Sequence, residues 1–242
     1  MLTKYEYAQI ILSLVNVIRE NLKECRIEKD IVGKRLRNIQ DIMDVTERHN
    51  YENLIYSTEL FIDCPETRDF FTIYTSYIKE KNNDTIHVKI SQTPKLDFLL
   101  FEEPDRKHVE KLSDEEYDKL IEKIQYGPYS HEELKKKNMD RIATPEHLET
   151  WQKLLQKHNL KTLKWLIPSL EAAIETNKKY GPDTIVILAG YRVGPILETE
   201  TEITTIEETR QKIRETAQKF VYFYKTYKNK LKQIETKNTN QQ

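Results

Sequence analysis

The sequence predicts an α+β protein, with an antiparallel β-meander over about residues 54–101 and a late β-hairpin over 184–204, flanked by long amphipathic N- and C-terminal helices. Three observations carry this. Both ends of the chain hold apolar residues at alternating spacings of three and four, the period of a helix face. From Tyr51 the period becomes two, in runs rich in Ile, Thr, Tyr and Phe. The connections between those runs are short, which suits antiparallel neighbours; parallel ones need a crossover of a dozen residues or more.

Thr3 and Glu6 form a capping box in front of the first helix, whose apolar seam runs through Ala8, Ile11, Val15, Ile18, Leu22 and Cys25. After a break at Asp30 and Gly33, Val32, Leu36, Ile39 and Met43 repeat the spacing and predict a second helix. Four strands follow at Leu54–Ile62, Phe70–Ile78, Thr85–Ile90 and Leu96–Phe101, separated by Cys64-Pro65, Asn82-Asn83-Asp84 and Thr93-Pro94. Helix signals then resume. Ser113 with Glu116 and Ser130 with Glu133 are capping boxes, and Thr144-Pro145-Glu146 sets proline at the first helical position. The helices predicted there span about 115–125, 131–138, 145–158 and 160–178, with Pro168 kinking the last or marking its start. Their apolar cluster comprises Trp151, Leu154, Leu155, Leu163, Trp165, Leu166, Leu170 and Ile174.

Thr184–Leu188 and Ile196–Thr204 are the strands of the late hairpin, joined through the glycine turn AGYRVGP. Thr205 and Glu208 then cap the longest helix. Its seam is Ile213, Ala217, Phe220, Tyr224, Tyr227, Leu231 and Ile234, with Ile206 in phase one heptad further back and Arg210 in the slot between. The first and last helices are expected to pair through their seams, within one chain or between two, and the tail from Thr236 to fray. The segments read as 1–50 N-terminal helices, 51–104 sheet, 105–180 helices and 181–242 hairpin plus long helix, together one compact domain.

Composition narrows the function classes. Lys and Arg number 39 against 40 Asp and Glu, so no global field selects nucleic acid or an acidic membrane, and an electrostatic partner must be sought in local patches. The most apolar N-terminal run, Ile10–Ile18, is too short to span a bilayer. Cys25 and Cys64 lie in different elements without metal-ligand spacing, so two free buried thiols in a reducing, cytoplasmic setting are expected. The six histidines form neither HxxxH nor HExxH, and no GxSxG occurs.

Four patterns are candidates for chemistry. In the first, Glu198, Glu200 and Glu202 alternate with threonines and share one face of a strand. Three carboxylates so aligned suit Mg2+ or Mn2+ and phosphate-ester or anhydride hydrolysis. In this alternation the stretch resembles the glutamate strands of tunnel-type triphosphatases, though Thr199 and Thr201 stand where those strands carry apolar residues; the plainer reading is a charged edge strand. The second pattern joins Asp63 to His87 and Lys89, in the manner of metal-dependent nucleases, with a histidine in the slot those enzymes give to an acid. The third is the turn AGYRVGP, where glycine amides and Arg192 offer a phosphate contact, against the simpler reading of a hairpin turn. The fourth is the basic C-terminal helix, with Lys219, Lys225, Lys228, Lys230 and Lys232 as nucleic-acid contacts and Phe220, Tyr222, Phe223, Tyr224 and Tyr227 interleaved.

The reading that unites these is a non-enzymatic interaction or assembly protein, cytoplasmic and of cellular or viral origin. It would self-associate or bind a protein partner through its helices, have no membrane partner, and touch nucleic acid through the basic helix; no catalytic residue and no cofactor are then expected. The alternative is a metal-dependent phosphodiesterase (nuclease) or phosphohydrolase using Mg2+ or Mn2+ with Glu198, Glu200 and Glu202, or with Asp63 and Lys89.

Overall fold

The computed structural model describes residues 1–30, 33–51, 53–67, 69–94, 103–137, 144–181, 185–187 and 195–239. In chain order the elements are α1 (Lys4–Asn21), β1 (Arg26–Glu28), α2 (Ile39–Val45), β2 (Glu47–Arg48), β3 (Leu54–Asp63), β4 (Asp69–Lys79) and β5 (Asp84–Pro94). They continue with α3 (Glu103–Val109), α4 (Asp114–Tyr126), α5 (His131–Lys136), α6 (Pro145–His158), α7 (Lys161–Tyr180), β6 (Ile185–Ile187), β7 (Pro195–Glu202) and α8 (Ile206–Thr239). Two compact units result, one from Met1–Lys95 with Ile196–Tyr222, the other from Leu96–Pro195 with Phe223–Gln242. The α+β class and the antiparallel meander follow the sequence reading.

In the first unit β1, β3, β4, β5 and β7 lie side by side in that order, every pair antiparallel, and β2 adds to β3. The expected fourth meander strand, Leu96–Phe101, lies outside the described residues, and β7 takes the place beside β5. The period of two sends Leu60, Ile62, Phe71, Ile73, Tyr77, Ile86, Val88, Ile90 and Leu197 to one face, where all are buried. Each such side chain removed from water contributes roughly 1.5–3 kcal/mol.

The helices cover that face. From α1, Tyr7 packs its ring 5.6 Å from that of Tyr56 and its hydroxyl lies 2.7 Å from Thr75 Oγ1. After α2, Thr46 Oγ1 meets Thr58 Oγ1 at 2.9 Å. On α8, Thr216 donates to Thr199 Oγ1 at 3.1 Å, and Phe220 meets Phe71 with ring centroids 5.0 Å apart. The contacts from both helical stripes thus run to the sheet, where a seam-to-seam pairing of α1 with α8 was expected. A sheet offers a broad apolar surface, and two amphipathic helices laid side by side on it bury their stripes without meeting face to face.

Three local expectations change. The second helix begins at Ile39, capped by a box of Asn38 with Asp41, and Leu36 is buried in the preceding segment, its N–H bonded to the Ile27 carbonyl. Val32 lies outside the described residues. At the start of α8 the box is half formed: Thr205 Oγ1 accepts from the Glu208 N–H, while the Glu208 carboxylate accepts from the Thr204 hydroxyl. Cys25 and Cys64 are joined in a disulfide, so the free thiols were wrongly expected. The reason is register: Arg26 faces Asp63 across the β1–β3 pair, which brings the neighbouring Cα atoms within 4.3 Å despite 39 residues of separation.

Among its described residues the second unit is built of helices, with the short strand β6. Complete boxes at Ser113 and Ser130 open α4 and α5, and Pro145 occupies the first turn of α6. Trp151 of α6 is buried and donates Nε1 to the Ile124 carbonyl of α4 at 2.9 Å. Leu154, Leu163 and Leu170 share in the core; the Trp165 side chain lies outside the described residues. Pro168 sits inside α7, whose helix runs through it, and α3 had no sequence signal assigned. The tail expected to fray from Thr236 is helical as far as Thr239.

Candidate functional site: the solvent face of the sheet

The face of the sheet opposite the helices is organised by the same register that builds the core. One row across the strands reads Glu59, Tyr74, Lys89, Glu198, and the next reads Ser57, Ser76, His87, Glu200. Glu202 stands opposite Thr85. The acidic column of β7 is therefore real and solvent-facing, but each carboxylate has its own cross-strand neighbour. Glu200 Oε1 lies 3.4 Å from His87 Nε2 and Glu198 is level with Lys89. Successive same-face residues on a strand are about 6.5–7 Å apart, so convergence on one cation would require the side chains to lean together. Among the described residues, no group of three or more His, Cys, Asp or Glu side chains is placed to hold a metal ion.

Asp63 is not brought to His87 and Lys89. It pairs with Phe70, which in turn faces Thr93, so Asp63 is two strands away from Lys89 and four residues, about 13 Å, further along the sheet. The turn AGYRVGP with Arg192 lies outside the described residues up to Gly194.

On α8 four of the five rings expected to meet bases are spent on packing, and the fifth, Tyr222, is half-buried. Phe220, Phe223, Tyr224 and Tyr227 are all at most 1% exposed. Lys230 is held by α7, its Nζ lying 2.6 Å from Glu175 Oε1 and 3.4 Å from Glu171 Oε2. Burial works to lower the Lys230 pKa, but these carboxylates more than offset it and raise the value above its ordinary one. Lys225 and Lys232 are exposed, and Lys219 and Lys228 are half-buried.

The sequence reading missed an aromatic group on the solvent face. Phe61 of β3 and Phe70 of β4 are half-buried there, ring centroids 5.9 Å apart, and Tyr74, two strand periods beyond Phe70, is 38% exposed. The alternation in FFTIYTSYI contained the signal: one parity gives Phe70, Thr72, Tyr74 and Ser76, the other Phe71, Ile73, Thr75 and Tyr77. Which parity the helices cover is a tertiary fact. His49 and Tyr51 extend the solvent face beside β3, where the His49 Nε2 lies 2.7 Å from Ser57 Oγ and its ring stacks on that of Tyr51.

The chain matches no protein family, no curated protein and no solved structure. No helix among the described residues is long and apolar enough to cross a membrane.

Proposed function

We propose that this is a non-enzymatic assembly protein that pairs with a second copy of itself through the solvent face of its sheet. The observation that carries this is the aromatic group Phe61, Phe70 and Tyr74, set in the middle strands and left partly in water although the opposite face of the same strands is fully packed. Aromatic rings with a polar rim are the composition of protein interfaces, where a few large side chains supply most of the binding energy. The rim favours a like partner. Lys89 lies between Tyr74 and Glu198, with Glu59 on the far side of Tyr74, so the same patch presents both signs of charge, as the self-complementary surface of a two-fold dimer must.

A charge exchange tests this. Lys89→Glu and Glu198→Lys are each expected to weaken self-association, and the double exchange to restore it, as read by light scattering. If neither single change alters the mass, the face is not the interface.

The other readings have less support. A hydrolase would need metal at Glu198, Glu200 and Glu202, each of which has a separate cross-strand neighbour; Mg2+ or Mn2+ would then raise the melting temperature by binding the native state. Nucleic-acid binding would have to rely on the exposed Lys225 and Lys232 with the half-buried Lys219 and Lys228, without stacking from the buried rings and with Lys230 already paired.

A further inference from the structure

Arg210 breaks the seam of α8, and its position in the first unit follows from where α1 and α8 begin. Leu2 donates its N–H to the Tyr77 hydroxyl at 3.3 Å, so α1 starts at the end of the sheet where β4 turns into β5. The N–H of Ile203 bonds the Asp84 carbonyl at 2.8 Å, so α8 starts at that same end. Both helices then run toward the opposite end, where Cys25 is tied to Cys64 and Phe220 reaches Phe71. Arg210 and Arg214 consequently come level with the first turns of α1.

Between the two helices lies a groove of about 500 Å³, within the range of small-molecule sites. Along α1 it extends from Tyr5 to Glu20, about 22 Å at the rise of an α-helix. Its walls are of two kinds. Arg210 and Arg214 come from α8, with Tyr5 and Gln9 opposite as hydrogen-bonding groups, while Leu12, Val17 and Ile39 supply apolar surface further on, interrupted by the polar Ser13 and Asn16. One carboxylate orients both arginines: Glu207 takes Nη1 of Arg210 at 3.0 Å and Nη1 of Arg214 at 3.4 Å. Two cations against one anion leave a net positive pair. The Nε of Arg210 is buried and has no hydrogen-bond partner among the described residues. A guanidinium fork matches the paired oxygens of a carboxylate or phosphate.

We infer that this groove binds an organic anion, with an oxyanion head on Arg210 and Arg214 and an apolar body along Leu12 and Val17 toward Ile39. Glu20, at the far end, selects against a second anionic group there. The inference does not depend on self-association, because the groove is on the helical side of the sheet.

Titration calorimetry of the full chain with acetate, octanoate, inorganic phosphate and octyl phosphate tests it. Saturable binding of octanoate or octyl phosphate, about tenfold or more tighter than that of the bare anion with the same head, is expected. The better head distinguishes a carboxylate from a phosphate ligand. Arg214→Gln and Arg210→Gln should each weaken binding by about 10- to 100-fold, the effect of losing charge-assisted hydrogen bonds, while the exposed Lys212→Ala should not. Arg214→Gln removes no buried unpaired atom and serves if Arg210→Gln fails to fold. No saturable binding of any of the four anions, or equal weakening by Lys212→Ala and Arg214→Gln, would overturn the inference.

Discussion

Phe220 of α8 stands edge-on to Phe71 of β4, ring planes at 72° and centroids 5.0 Å apart, both side chains at most 1% exposed. The pair fastens the first half of α8 to the middle of the sheet. We expect Phe220→Ala to cost about 3–5 kcal/mol through lost burial and the cavity left behind, read by chemical denaturation. A loss below about 1 kcal/mol would mean that α8 is not anchored there.

The Cys25–Cys64 disulfide ties the start of β1 to the end of β3. Closing a loop of this length is worth about 2–4 kcal/mol in the chain-entropy view. Reduction, or Cys25→Ala with Cys64→Ala, should lower stability by that amount while far-ultraviolet circular dichroism of the native protein is retained. Mass spectrometry of the alkylated, unreduced protein checks the bond itself. Two alkylated thiols would contradict it.

His147 is buried in the second unit, with Nδ1 accepting the Thr144 N–H at 3.1 Å. Burial holds its pKa below the ordinary value despite the nearby Glu146, and His158 is lowered as well, by burial, Lys157 and His108. The sign follows from these depressed values. As pH falls below about 6.5, the unfolded chain takes up the protons first, so stability is complete above that pH and is lost below it, toward the folded-state values. Stability measured between pH 7.5 and 5 should therefore decline. His147→Gln, which keeps an acceptor for Thr144, should flatten the decline; an unchanged slope would exclude His147 as its source.

Gly127 ends α4 at φ +68°, and a Cβ built there would lie 2.7 Å from the His147 ring. Both the backbone and the contact exclude a side chain. Gly127→Ala should destabilise the second unit by more than about 1 kcal/mol, seen as a lower denaturation midpoint by tryptophan fluorescence.

What could be read in advance was local. Thr3 with Glu6, Ser113 with Glu116, and Ser130 with Glu133 become complete capping boxes because donor and acceptor lie three residues apart on one chain segment. The meander was legible for a similar reason, since short turns leave antiparallel pairing as the simplest outcome. What depends on distant register was not. Cys25 and Cys64 meet only because β1 adds to β3, and the seam of α8 announces an apolar surface without saying that Phe71 belongs to it. Arg210 was visible as a flaw in a heptad, yet its role in a groove with α1 requires both helices to lie on one sheet. The solvent-facing aromatic group was hidden by symmetry: in FFTIYTSYI both parities are rich in rings, and the helices decide which one stays in water.

Sedimentation equilibrium over a wide concentration range, on the unmodified chain and on Phe70→Glu, tests the proposed self-association most directly. The expected result is a concentration-dependent passage from one copy to two in the unmodified chain, abolished by Phe70→Glu with the native far-ultraviolet circular dichroism retained. A single species of one-copy mass at every concentration, or a dimer indifferent to Phe70→Glu, would contradict it.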